Sequence, residues 1–142
     1  MTNECEFPKQ NATSEEIRRI LTSYKTVAIV GISDKPDRPS HHVADYLKGK
    51  GYRIIPVNPK IEEVLGEKSY PDLDSIPWDV EIVDIFRKPE DVPGIVEQAI
   101  VKKAKVIWMQ EGIVNNAAAD RARAAGLQVV MNKCMLKEHH KL

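Results

Sequence analysis

Hydrophobic and polar positions along this chain alternate between two rhythms. Residues 1–12 are polar and aperiodic and read as a flexible tail. Ile17, Ile20, Leu21 and Tyr24 then recur at helical spacing, and Thr13-Ser14-Glu15-Glu16 before them carries a capping box, so a helix is expected over about 14–24. Residues 26–31 change the rhythm: Thr-Val-Ala-Ile-Val-Gly is a continuous apolar run, the pattern of a strand covered on both faces. Ser40 stands where an N-cap is wanted, and Val43, Ala44 and Leu47 give the next helix an apolar face that should end before Gly51. Residues 52–57 form a second strand, closed by Asn58-Pro59.

Residues 60–79 hold no strong period, and Gly66, Pro71 and Pro77 divide them into turns. A third strand follows over 79–86. Pro89 and Pro93 lie in the opening of the next helix, where proline is tolerated, ahead of Val92, Ile95, Val96, Ala99 and Ile100 at helical spacing. Residues 105–110 make a fourth strand. Asn115 or Asn116 caps an alanine-rich helix that runs to Ala125 and stops at Gly126. A fifth strand spans 127–131, and 132–142 read as a polar C-terminal segment. Strands alternating with helices of this length imply right-handed crossovers and a parallel sheet covered on both faces. The expected architecture is therefore a single α/β, Rossmann-like, doubly wound domain over 13–142. It has a five-stranded parallel sheet whose expected order is 3-2-1-4-5.

Composition narrows the function. The chain has 142 residues, with 21 Lys+Arg against 21 Asp+Glu. At that size folding buries ~68–70% of the unfolded surface, enough for one self-sufficient core. Zero net charge argues against nucleic-acid binding driven by bulk charge. Cys5 and Cys134 cannot make a disulfide framework, and no metal-ligand spacing occurs. Apolar runs are too short to span a bilayer, and the first residues lack the blocks of a signal peptide. The expectation is a soluble, reduced, cytoplasmic protein that contacts neither nucleic acid nor membrane; a homodimer is left open.

Parallel sheets of this kind bind ligands beyond the carboxyl ends of their strands, where the winding reverses. Five segments should meet on that rim: Gly31-Ile32-Ser33, Asn58-Pro59-Lys60, Phe86-Arg87-Lys88, Gln110-Glu111-Gly112 and Asn132-Lys133-Cys134. Gly31 allows close backbone approach, Arg38 offers a planar fork suited to phosphate, and the helix opening at Ser40 presents free N–H groups and a positive dipole end. Cations gathered at a switch point of a neutral protein suit a polyanionic small molecule such as a nucleotide. The three-glycine dinucleotide fingerprint is absent, as is a Walker sequence, and Asn58 and Lys60 replace the acidic residue that grips a ribose in NAD enzymes.

The run Val30-Gly31-Ile32-Ser33-Asp34-Lys35-Pro36-Asp37-Arg38-Pro39-Ser40, with Tyr46-Leu47, Gly51-Tyr52 and Ile55-Pro56-Val57-Asn58-Pro59, resembles the small CoA-binding proteins. These are similar to the CoA-binding domain of the succinyl-CoA synthetase α subunit. The blocks Val83-Asp84-Ile85-Phe86-Arg87, Trp108-Met109-Gln110-Glu111-Gly112 and Met131-Asn132-Lys133-Cys134-Met135 extend the resemblance over about 14–140. It implies coenzyme A as ligand. Gly31, Ile32 and Ser33 would line the pyrophosphate, with charge from Arg38 and N–H donors at Ser40. Asn58, Pro59 and Lys60 would border the 3′-phosphate end. Phe86 and Arg87 would flank the adenine or pantetheine, and Gln110, Glu111 and Gly112 the pantetheine arm. Asn132 and Cys134 would stand near the thiol end, where Met135 replaces the proline common in the family. The synthetase's phosphohistidine chemistry lies in a second domain with no counterpart here, so that activity is not implied.

His41 and His42 suit surface or capping roles better than catalysis, and His139 and His140 fall in the terminal segment. Cys134 reads first as a small packed residue; the sharper alternative is a thiol that forms a mixed disulfide with CoA. Asp84 with Lys133 is also found in phospho-receiver domains, but those need an acidic pair where Gly31-Ile32-Ser33 stands. Trp78 and Trp108 read as packing residues, either able to serve an interface. The expected function is non-catalytic binding of CoA or an acyl-CoA. The alternatives are an NAD(P)-dependent enzyme on the same fold and a CoA-responsive regulator of a protein partner.

Overall fold

Thr13 opens the first helix by the expected reciprocal cap. Its hydroxyl accepts from the Glu16 N–H (3.1 Å), and the Glu16 carboxylate accepts from the Thr13 N–H (2.8 Å). From that point the computed structural model, which describes residues 6–142, alternates helix and strand. The order is α1 (Ser14–Ser23), β1 (Thr26–Val30), α2 (Pro39–Gly49), β2 (Arg53–Val57), β3 (Glu63–Val64), β4 (Glu67–Lys68) and β5 (Ile82–Ile85). A 3-10 turn (Pro89–Asp91) then leads into α3 (Val92–Lys102), β6 (Val106–Met109), α4 (Asn116–Ala124), β7 (Gln128–Val130) and α5 (Met135–His140). Asn115 is the cap of α4, its side chain accepting from the Ala118 N–H at 3.0 Å.

Five of the strands form one parallel sheet, so their carboxyl ends share an edge. Helices α1, α2 and α5 bury Ile17, Ile20, Leu21, Val43, Ala44, Leu47 and Met135 against one face. Helices α3 and α4 bury Val92, Val96, Ala99, Ala118, Ala119 and Ala122 against the other. The α/β doubly wound expectation holds.

The expected strand order does not. The sheet runs β2-β1-β5-β6-β7, which among the five predicted strands is 2-1-3-4-5 rather than 3-2-1-4-5. Two sequence features account for the difference. Pro56 has no N–H for a ladder, so β2 belongs at an edge, where the Pro56 carbonyl accepts from the Tyr70 N–H at 3.0 Å. Ile82, Val83, Asp84 and Ile85 are all buried, which suits a central strand and would be a liability at an exposed edge. The chain between them is not a helix. It makes the β3–β4 hairpin, turning at Leu65 (φ 56°) and Gly66 (φ 75°), and touches β2 through a Val57–Tyr70 bridge. It then lays Tyr70, Leu73 and Ile76 in the core on the α3 side before entering β5 next to β1.

Both chain ends also depart from expectation. Residues 1–5 of the expected tail, including Cys5, lie outside the described residues, but 6–12 are tied to the domain. The Asn11 side chain pairs with both the N–H and the carbonyl of Met131 (2.9 Å each), imitating a strand at the β7 edge. Asn116 bonds to Phe7 (2.8 Å) and Lys9 (2.9 Å). The C-terminal segment is not merely polar. It forms α5, whose Met135 is fully buried and whose His139 Nδ1 lies 2.9 Å from the Tyr46 hydroxyl. Trp108 is fully buried, as expected of a packing residue, whereas Trp78 is 42% exposed.

Candidate functional site

The winding reverses between β1 and β5, since α2 leads from β1 toward β2 and α3 leads from β5 toward β6. Gly31 sits at that junction. Its φ is +89°, and a Cβ there would lie 2.8 Å from both the Phe86 carbonyl oxygen and Arg87 Cδ. Only glycine lets the two loops meet. Its N–H donates to the Val57 carbonyl at 2.9 Å, which continues the β1–β2 ladder into the rim.

The turn after Gly31 is held from two sides. Ile32 is fully buried, and its carbonyl accepts from Asn58 Nδ2 at 2.8 Å. Asn58 Oδ1 accepts from the Lys60 N–H at 2.9 Å. The Asn58 amide is therefore a latch between two loops, a positioning role that the expected ligand contact did not include. The Ser33 N–H donates to Ser40 Oγ (2.9 Å), and Ser33 Oγ accepts from the Lys35 N–H (3.1 Å).

Ser40 departs from its expected place. The N-cap of α2 is Arg38 by backbone geometry, Pro39 takes the first helical position, and Ser40 is the buried second residue of the first turn. Proline has the right fixed φ for that first position, which displaced the cap by two residues. The consequence favours an anion site. Among the described residues, the N–H groups of Ser40 and His41 have no partner, while that of His42 bonds to the Arg38 carbonyl at 3.1 Å. Arg38 and Lys60 are exposed, and neither belongs to an ion pair among the described residues.

Beside this turn, on the α3 side, lies a cleft of about 240 Å³. Val30, Gly31, Val57 and Pro59 form its β1–β2 wall, and Arg87 lines it while its Nη2 bonds to Asp91 at 3.0 Å. Pro71, Asp72, Leu73, Gly94, Ile95 and Gln98 complete it. None of these last six was anticipated, because the expected strand order kept β5 and α3 away from β1. Phe86, by contrast, packs in the core of the opposite face, so it does not flank the same space as Arg87.

A second group of expected residues clusters at the ends of β6 and β7. Gln110 is 5% exposed, and its Oε1 accepts from the Met135 N–H at 3.1 Å. Glu111 is ion-paired with Lys137 at 3.0 Å. The Gly112 N–H donates to Asn132 Oδ1 at 2.8 Å, with Gly112 at φ +85° and Asn132 at φ +58°. Cys134 is 9% exposed at the start of α5. The two groups share one sheet edge and meet where β5 adjoins β6, the Gln110 N–H donating to the Ile85 carbonyl at 3.3 Å; the whole edge from β2 to β7 is four inter-strand steps, roughly 19 Å. The rim is thus elongated, cationic at one end and lined by turns at the other.

Asp84 lies below the rim rather than on it. It is fully buried, neither carboxylate oxygen has a hydrogen-bond partner among the described residues, and desolvation pushes its pKa well above the usual carboxylate value. Such a group cannot meet a phosphoryl donor, in line with setting aside the phospho-receiver reading. His41 is half-buried and His42 exposed, and neither ring makes a hydrogen bond among the described residues.

The chain is 42% identical over 130 residues to an uncharacterized protein, YneT, of Bacillus subtilis, covering 92% of this chain and 96% of that protein. It is 31% identical over 83 residues to acetate–CoA ligase (ADP-forming) II of Archaeoglobus fulgidus, a match that spans 57% of this chain and 12% of the ligase. Among solved structures, a hypothetical protein from Pyrococcus horikoshii superposes with a TM-score of 0.91 at 49% identity, covering 96% of each chain. The model of the CoA-binding domain matches residues 25–140, the span that holds every element from β1 to α5. With the glycine junction, the uncapped start of α2 and this match over most of its length, the chain belongs to the CoA-binding domain family.

Proposed function

We propose that the protein binds coenzyme A or an acyl-CoA along this rim and catalyses no reaction on it. The observation that carries this reading is the junction at Gly31. There Gly31 lets the β1 and β5 loops meet, the N–H groups of Ser40 and His41 at the start of α2 have no partner among the described residues, and Arg38, the N-cap of α2, is exposed and in no ion pair among them. Such a junction favours a diphosphate, because N–H donors and a helix's positive end stabilise anions without further counter-charge. Membership of the CoA-binding domain family, and the CoA ligase name of a relative, support the choice of diphosphate ester.

In this reading the pyrophosphate lies over Gly31 and the start of α2, and Lys60 faces the 3′-phosphate. The apolar wall of Val30, Val57 and Pro59 takes the adenine, with Arg87 at its border. The pantetheine arm follows the rim toward Gln110–Gly112, and the thiol end comes near Asn132 and Cys134. Gln110, Asn58 and Asn132 act as positioning residues, since their side chains hold other segments in place.

Titration calorimetry tests this. CoA should bind at micromolar or tighter affinity. Arg38→Ala should weaken it roughly tenfold or more, the loss of one charge-assisted hydrogen bond. Lys60→Ala should weaken CoA more than CoA lacking the 3′-phosphate. No binding heat with folded protein would remove the proposal.

A further inference from the structure

A second surface, at the opposite side of β2 from β1, has features the rim does not use. Trp78 is one of the few large apolar side chains exposed among the described residues, at 42%. The Arg53 guanidinium lies 4.3 Å from the centre of its ring, and Tyr70 meets it edge-on at 6.4 Å. The Lys68 ammonium sits 5.2 Å from the Tyr70 ring. Beside them opens a cleft of about 330 Å³, floored by Ile54 and Ile55. Glu67 also lines it, but its carboxylate is paired with Lys48 at 3.1 Å. Arg53 and Lys68 belong to no ion pair among the described residues.

We propose that this notch at the β2 edge docks an acidic, extended segment of another protein. Trp, Tyr and Arg are the residues most enriched where binding energy concentrates, and here the three pack together before any partner arrives. β2 is an edge strand, β4 lies against its outer side beyond the Val57–Tyr70 bridge, and the notch is the gap left between them under Arg53, Lys68 and Trp78. Two unpaired cations above that edge select carboxylates. They also count against a second copy, because a two-fold contact would bring both Arg53 and both Lys68 side chains to one seam.

A short peptide alternating Glu and Val, with a Lys–Val counterpart as control, supplies the probe. Titration is followed by tryptophan emission, which reports on exposed Trp78 because Trp108 is fully buried, and by calorimetry. Saturable binding of the acidic peptide alone is expected, weakened by salt and lost in Trp78→Ala. The double charge reversal Arg53→Glu with Lys68→Glu should weaken it by about tenfold or more and transfer binding to the Lys–Val peptide. Circular dichroism checks that each variant is folded. Absence of saturable binding by the acidic peptide, or equal binding of both peptides, overturns the proposal. So does a dimer seen by sedimentation that Trp78→Ala abolishes, which would assign the notch to a second copy.

Discussion

Asp84 offers the sharpest test of how the sheet is built. Its carboxyl sits within β5, flanked in register by Ile29 and Trp108, with no hydrogen-bond partner among the described residues. Burial raises its pKa well above the ordinary 3.8, so the folded protein keeps the acid neutral where the unfolded chain ionises. Between the unfolded and folded pKa values the native state holds one more proton than the unfolded state. Stability from this group is therefore fully present below the unfolded pKa and falls as pH rises, by about 1.4 kcal/mol per pH unit, until the folded pKa is reached. Asp84→Asn keeps the shape and removes the titration. Urea unfolding of both proteins from about pH 2.5 upward, starting below the unfolded pKa, gives a difference curve in which other groups cancel. That difference should be flat near the acid end and then shift in favour of Asp84→Asn with the stated slope. A flat difference across the range would mean that the carboxyl is not desolvated. A slope of opposite sign would mean that it is ionised and paired in the folded state.

Two further outcomes follow from the geometry. Gly31→Ala forces a Cβ to within 2.8 Å of the Phe86 carbonyl at a positive φ; it should cost on the order of 1–3 kcal/mol in unfolding experiments and should also weaken CoA, measured by calorimetry. His139 is held below its ordinary pKa of 6.5, first by burial and then by Lys25, Lys50 and His140. Its contribution to stability should be whole above that value and decline as pH falls through the folded pKa. A proton NMR titration of the ring should accordingly show a midpoint below 6.5, and a midpoint at or above it would contradict the packing against Tyr46 and Tyr52.

Much of this fold is legible because local signals agree with one another. The Thr13–Glu16 cap, the continuous apolar runs and the glycine stop at Gly126 each point to the element that forms. Strand order is less accessible, since it depends on how residues 60–79 travel, and that stretch has neither helical nor strand period. Pro56 was the available signal: a proline inside a strand belongs at an edge. The error propagated to the site. Gly31, Arg38, Ser40 and Lys60 were readable from the β1–α2 and β2 loops. Pro71, Asp72 and Gln98 were not, because they join the cleft only when β5 lies beside β1. Ser40 illustrates a smaller limit: a serine after Pro39 resembles a cap, but proline itself takes the first helical position. Polarity alone is a poor guide to the terminal segments. Asn11 and Asn116 are polar because they bond to backbone, and α5 needs only one fully buried residue, Met135, to dock.

In the proposed complex a diphosphate ester sits over Gly31 and the start of α2, with the rest of the ligand along the rim. Amide NMR spectra recorded during addition of CoA test it residue by residue. The amides of Gly31, Ser40 and His41 should shift most, those of Gly112 and Cys134 should follow, and the Trp78 indole should stay still. Shifts confined to the β2 edge, or none at saturating CoA, would contradict it.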